Sequence, residues 1–235
     1  MQIDGVLNLN KPGRLTSRRA VDRVRRLLAV RKAGHAGTLD PDATGVLIIC
    51  LGKATKLFDA LQVGSKEYEG TLRLGMTTDT LDASGNVLTV TDTAGITREQ
   101  VAAVFQQFTG NLEQVPPMYS AVKHQGQPVY KLARRGIQIE RPKRSVTIHA
   151  LEAISINMPD VHFRVVCSKG TYVRVLADDI GRVLGCGAHL YCLKRTRSGI
   201  FTIDEAHTLE QLEKTPETAM RAVIPMDVVA ARLQT

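Results

Sequence analysis

Residues 34–47 read GHAGTLDPDATGVL, and the unbroken apolar run VLIICL follows over 46–51. Three glycines and a proline punctuate the first string, so it reads as a structured loop feeding a core strand. Asp40 stands at the turn with Pro41 behind it. Pro41 has no N–H and disfavours the α region for the residue before it, which places this carboxylate on a tight loop rather than in a helix. Asp-Pro alone is a frequent turn opener. A carboxylate on a loop held by a rigid strand is also a common way to build a site.

Around that loop the chain is 235 residues long, enough for one large domain or two small ones. Its formal net charge is +8, which favours an anionic partner, nucleic acid first. The distribution says more than the sum. Nine Lys/Arg and one acid, Asp22, fall in 11–32, and seven Lys/Arg and one acid, Glu140, fall in 115–145. Five acids against one base, Lys214, fall in 204–217. That pattern suits a chain that meets a polyanion on one face. Cys50, Cys167, Cys186 and Cys192 form no C-x-x-C pair; neither a zinc site nor a disulfide framework is expected, and reduced thiols fit a cytoplasmic protein. No apolar run reaches transmembrane length and no signal peptide opens the chain.

In chain order, 5–10 alternates as a short strand and Lys11-Pro12-Gly13 turns the chain. Thr16 or Ser17 can cap a helix to about Val30, with Ala20, Val21, Val24, Leu27 and Leu28 on one face and Arg18, Arg19, Arg23, Arg25 and Arg26 over much of the rest. Those arginines read as a solvated face or as phosphate contacts. A short helix is expected over 54–61 and a strand over 66–76, with Tyr68 at its start. Gly52-Lys53 is no Walker motif, because Ala54 stands where a magnesium-binding hydroxyl belongs. Asp79 and Asp82 lack EF-hand spacing and are read as holding a turn. Thr97 and Gln100 make a capping box for a helix over 97–108. Residues 114–136 carry three prolines, two glycines and dense basic charge, a long excursion ending in a short helix near 129–135. Strands follow over 145–157, 162–168 and 188–197, with a helix after Arg174, and helical fragments at 209–212 and 218–223.

The loop string resembles the catalytic loop of the TruB family of tRNA pseudouridine synthases, relatives of the archaeal and eukaryotic box H/ACA synthases. That loop is G-H-x-G-x-L-D-P-x-A-x-G-x-L, and every fixed position is present in 34–47. The likeness continues. Lys11, Pro12, Gly13 and Ser17 match the N-terminal motif, although Asn10 stands where an Asp is common and Arg18-Arg19 replace the usual polar pair. Tyr68 with Thr78-Asp79-Thr80 and Asp82 is similar to the second motif. Pro116-Pro117, Tyr119-Ser120-Ala121, Lys123, Gly126, Tyr130 and Ala133-Arg134 resemble the RNA-gripping insertion. Ser168-Lys169-Gly170-Thr171-Tyr172-Val173-Arg174 matches the third motif and Leu193-Lys194-Arg195 the last.

The resemblance implies an α+β pseudouridine synthase fold, a mixed, mainly antiparallel sheet flanked by helices with an RNA-binding insertion. It implies a catalytic domain over 1–203, an insertion at about 113–145 and a short helical extension over 204–235 where the family's PUA domain would begin. The implied reaction converts a T-loop uridine of tRNA, conventionally position 55, to pseudouridine after base flipping. Asp40 is then the catalytic aspartate, Arg174 its pairing arginine, and Tyr68 the ring against the target base. His35 fills the gap left by the flipped base, with a turn histidine bonded to backbone as the alternative. Leu193 packs in the uracil pocket. Lys11, Tyr172, Lys123, Arg134 and Arg135 complete the RNA-binding set, Lys11 gripping phosphate. The isomerisation has no redox change and no entering or leaving group, so no cofactor and no metal are expected. The expected partner is the T-arm stem-loop, with no membrane, no obligatory protein partner and a monomeric state. Two other readings fit the same basic surfaces: a non-catalytic chaperone of the tRNA elbow and a guide-RNA-dependent synthase inside a ribonucleoprotein. Asp40 with Tyr68 and Arg174 argues against the first, and the insertion argues against the second.

Overall fold

The computed structural model describes residues 3–120, 123–124, 127–129, 136–137 and 139–234. The elements run β1 (Gly5–Lys11), α1 (Ser17–Leu27), β2 (Ala33–Ala36), β3 (Thr44–Leu51), a 3-10 turn (Gly52–Leu57), α2 (Phe58–Gln62), β4 (Lys66–Leu74), β5 (Met76–Thr78), β6 (Val87–Val90), α3 (Arg98–Gln107), β7 (Gly110–Gln114), β8 (Lys123–His124), β9 (Gln127–Pro128), β10 (Arg144–Asn157), β11 (Asp160–Cys167), α4 (Val173–Val183), β12 (Ala188–Ser198), β13 (Phe201–Thr202), β14 (His207–Thr208), α5 (Leu209–Leu212), α6 (Pro216–Arg221), β15 (Val223–Pro225) and α7 (Met226–Arg232). They fall into two units, one of Met1–Tyr68 with Leu193–Thr235, the other of Glu69–Cys192. Both are α+β with mainly antiparallel pairing.

The first unit is built on β3. The run VLIICL is buried on both faces, which is why it shows no polar alternation. One edge of β3 pairs antiparallel with β1, from Gly5 opposite Leu51 to Lys11 opposite Gly45. The other edge is shared. β2 takes 48–51, and β12 joins in parallel at Thr44 and Gly45. The loop carrying Asp40 leaves β2 and re-enters at the start of β3, where the neighbour strand changes. Val6, Ala36, Val46, Ile48, Cys50, Ala54, Leu61, Phe201 and Val229 form the core on one face. Helix α1 buries Ser17, Ala20, Val21 and Val24. Thr16 is its cap, accepting from the Arg19 N–H at 3.2 Å. The helix stops at Leu27, short of Val30, because Ala29 takes a left-handed φ of 51° while Ala29 and Val30 donate back to the Arg26 and Arg25 carbonyls. The helix expected over 54–61 is split. The Thr55 hydroxyl takes the Gly52 carbonyl at 2.9 Å, and the first turn tightens to 3-10 before α2.

In the second unit β4, β11, β10 and β7 lie in that order. β10 and β11 form a long hairpin whose register shifts twice at bulges. The Thr97–Gln100 capping box is present at the start of α3. Helix α4 has no side-chain cap at Tyr172; the Gln114 amide holds the Tyr172 backbone at both ends, accepting from its N–H at 3.0 Å and donating to its carbonyl at 3.3 Å. Asp79 and Asp82 hold the turn before β6, as read from the sequence. Asp79 accepts from the Asn86 backbone at 2.8 Å, and Asp82 accepts from the Ser84 backbone at 3.0 Å.

Candidate active site

The backbone from Gly37 to Val46 is fastened by three side chains from three elements. Ser17 Oγ, buried at the start of α1, donates to the Leu39 carbonyl and accepts from the Leu39 N–H, both at 2.9 Å. Lys11 Nζ, at the end of β1, donates to the carbonyls of Pro12 at 2.8 Å, Leu15 at 2.7 Å and Pro41 at 3.0 Å. Arg195, on β12, donates to the carbonyls of Val46 at 2.7 Å, Gly37 at 3.0 Å and Thr38 at 3.5 Å. The Leu15 N–H adds a bond to the Pro41 carbonyl at 3.2 Å. Asp40, half-buried, thus stands between two residues whose carbonyls are each held twice or by a buried partner. The loop glycines follow from the same packing. A Cβ on Gly45 would lie 2.2 Å from the Arg195 carbonyl oxygen, and φ there is +95°. Gly37, at φ +89°, faces the Arg195 guanidinium.

Lys11 differs from its expected part. It is fully buried, and its three ammonium protons are all committed to carbonyls. It therefore does not grip phosphate; it pins the loop. Burial pushes its pKa down to about 8, with Asp42 and Asp40 pulling the other way and Arg195 adding to the fall. His35 lies on β2, opposite Ile49, not in the turn. Its Nδ1 is buried and makes no hydrogen bond among the described residues, so the alternative of a ring tied to backbone through that nitrogen is not what the structure has. Burial, then Arg195 and Arg18, hold its pKa below the ordinary histidine value, and the ring is neutral at pH 7. Tyr68 is buried at 8% exposure near the start of β4. Leu193 is half-buried on β12, and its carbonyl accepts from the Thr44 hydroxyl at 3.5 Å. Asp40, His35, Lys11, Tyr68 and Leu193 all belong to the first unit.

Arg174 and Tyr172 belong to the second unit. Arg174 sits in the first turn of α4, 5% exposed. It donates to the Tyr119 carbonyl at 2.6 Å and to Asp82 at 3.4 Å, and its guanidinium carbon is 5.8 Å from the centre of the Tyr172 ring. A cation at a helix N-terminus is disfavoured by the dipole; a carboxylate beside it offsets that. Lys123 lies on β8, opposite Pro128 of β9. Arg134, Arg135 and Tyr130 lie outside the described residues.

Sequence reasoning missed four parts. Ser17 was open as a cap, and with Thr16 in that position its hydroxyl is free for Leu39. Asp82 holds its turn and also binds Arg174. Gln114 and Arg195 carried no signal beyond their motifs, since a buried cation cannot be told from a surface one by its letter. Ser17→Ala leaves the Leu39 N–H and carbonyl unpaired in a buried place. It is expected to cost about 1–3 kcal/mol in urea unfolding.

Comparison with known proteins gives this arrangement a family. The profile of the TruB family pseudouridylate synthase N-terminal domain matches residues 25–173, and that of the tRNA pseudouridylate synthase B C-terminal domain matches 174–230. A protein named tRNA pseudouridine synthase B from Aromatoleum aromaticum is 50% identical over 232 residues, 98% of this chain and 75% of that relative. One of the same name from Nitrosococcus oceani is 49% identical over 221 residues, 94% of this chain and 72% of the relative. Among solved structures, a Cbf5-Nop10-Gar1 complex has a chain 33% identical with a TM-score of 0.74, and an H/ACA RNP bound to a substrate RNA containing 2'-deoxyuridine has one 29% identical with a TM-score of 0.71. This chain is covered to 95% in both comparisons and spans 60% of each of those chains. The fold is that of the pseudouridine synthases, which are isomerases. Within that class, the chain belongs to the TruB family. Among the described residues, no helix is long and apolar enough to cross a membrane.

Proposed function

We propose that this chain isomerises the T-loop uridine of tRNA, conventionally position 55, to pseudouridine, in the cytoplasm and without a guide RNA or partner protein. The supporting observation is the Asp40 loop, in which every fixed residue of the family pattern is present and the backbone on both sides of the carboxylate is held by buried side chains. Relatives named tRNA pseudouridine synthase B match almost the whole chain.

The reaction breaks the C1′–N1 bond, turns the uracil in place, forms C1′–C5, releases the proton from C5 and leaves a proton on the freed N1. Asp40 supplies the carboxylate that opens the glycosidic bond, by covalent attack or by taking a sugar proton. Tyr68 stacks on the uracil; a phenol is protonated near neutral pH, which suits stacking over proton abstraction. Leu193 packs against the base. The uridine must first leave its loop, at a cost on the order of a few kcal/mol, and the neutral ring of His35 fills the space it leaves. Arg174 is the arginine of the third motif, and the catalytic domain is taken as 1–203 with its insertion at 113–145. Lys123, Arg134 and Arg135 in that insertion meet RNA phosphates, with Tyr130 and Tyr119 available for stacking.

The test is tritium release from T-arm RNA labelled at uracil C5. Bare RNA with the protein alone is expected to release label in step with pseudouridine at the T-loop position. Binding without release leaves the chaperone; release only after a guide RNA and partner proteins are added leaves the ribonucleoprotein enzyme.

A further inference from the structure

We infer that Arg195 is a positioning residue of the reaction: its guanidinium fastens the Asp40 loop from inside the unit and supplies a buried positive charge to the ground on which Asp40 acts. This rests on the reading of Asp40 given above.

The fastening is geometric. Arg195 is 1% exposed. Its Nε and two Nη atoms reach the carbonyls of Val46, Thr38 and Gly37, residues that bracket Asp40 on both sides. Its own backbone pairs with Gly45 in the sheet. One residue thus ties the loop by side chain and the adjoining strand by main chain. A planar fork with several fixed donors does this where a single ammonium cannot.

The charge needs a separate reason. Taking a guanidinium out of water is costly unless an anion pairs with it. The hydrogen bonds of Arg195 go to neutral carbonyls, and it makes no ion pair within the described residues. A neutral amide could serve two of those carbonyls without the cost of charge burial. The positive charge is felt on both flanks of the loop, since it disfavours protonation of Lys11 and of His35. Lys11 feels Asp42 and Asp40 together with Arg195, and His35 feels Arg18 together with Arg195. The same field favours an ionised Asp40 and the negative charge that builds on the uracil as its bond to the sugar breaks.

Arg195→Gln removes the charge, and Arg195→Lys keeps it while losing the fork. Tritium release from T-arm RNA is followed against pH for the wild type and both variants, with RNA binding and thermal unfolding measured alongside. For Arg195→Gln the maximal rate is expected to fall about 10²-fold. Loss of a cation beside a carboxylate raises its pKa, so the acid limb of the rate profile moves up by about one pH unit. For Arg195→Lys the rate falls about tenfold, with the acid limb in its wild-type place and the melting temperature held. RNA affinity stays within about twofold in both. An acid limb that does not move in Arg195→Gln overturns the proposal, and so does a rate loss matched in every variant by a loss of fold. If Arg195→Gln does not fold, Arg195→Lys decides: a rate within twofold of wild type, or a lower rate only with a lower melting temperature, overturns it. A wild type that releases no tritium defeats the reading of Asp40 instead, whereas a dead Asp40→Asn beside an unaffected Arg195→Gln defeats this inference alone.

Discussion

Asp40→Asn is expected to abolish turnover, lowering tritium release by roughly 10⁴-fold or more while RNA binding stays within a few-fold of wild type. The amide matches the carboxylate in size, so the loop around it keeps its shape. The loop carbonyls at 37, 38, 39 and 41 are held by Arg195, Ser17 and Lys11, none of which needs the Asp40 side chain for those bonds. What is lost, on the function proposed above, is the nucleophile or base itself, because an amide neither attacks C1′ nor takes a proton near neutral pH. Filter binding and tritium counting on the same preparation check the two halves. Residual release above about 1% of wild type would show that another group opens the glycosidic bond.

The second large effect belongs to Lys11. Lys11→Met removes three charge-assisted hydrogen bonds to carbonyls, each worth about 1.5–3 kcal/mol, and returns part of that by no longer burying an ammonium. The expected net loss is about 3 kcal/mol in urea unfolding, with a rate lower by about 10²-fold from a looser Asp40 loop. The wild type itself carries a test through pH. Lys11 loses its proton near pH 8 in the folded protein, against 10.5 for a free lysine. A neutral amine has two N–H groups for three carbonyls, so activity falls above about pH 8, and Lys11→Met lacks this alkaline fall. Stability moves the other way. Between those two values the unfolded chain binds more protons than the folded one, and this group adds stability as pH rises through that window. Unfolding at pH 7 and pH 10, wild type against Lys11→Met, measures the difference.

The strands and helices were largely legible because their signals are local. The run at 46–51, the Thr97–Gln100 capping box and the apolar spacing of α1 each name an element without help from the rest of the chain. The split of the 54–61 helix was not legible, because it turns on whether the Thr55 hydroxyl prefers a backbone carbonyl to water. For the candidate site, the motifs named residues, and the side chains that support them were illegible. Lys11 reads as a phosphate contact by its charge and its place in a basic stretch, yet it faces inward. That depends on strand register: β1 puts Lys11 opposite Gly45, a pairing that no single-sequence rule supplies. Arg195 is hidden for the same reason. Its partners, Gly37 and Val46, come from the far end of the chain, and only the parallel contact of β12 with β3 brings them together.

That distance has a temporal meaning. Gly37 and Arg195 are 158 positions apart, and the unit that contains both is interrupted by the whole of Glu69–Cys192. At a synthesis rate of roughly 5–20 residues per second, Asp40 is added to the chain about eight to thirty seconds before Arg195 exists. The interrupting unit is continuous in sequence and can begin to order in that interval. The flanking unit has to wait for its last strands, a long-range closure of the kind that slows folding. Nascent chains therefore carry Asp40 for most of their synthesis without the brace that holds its loop.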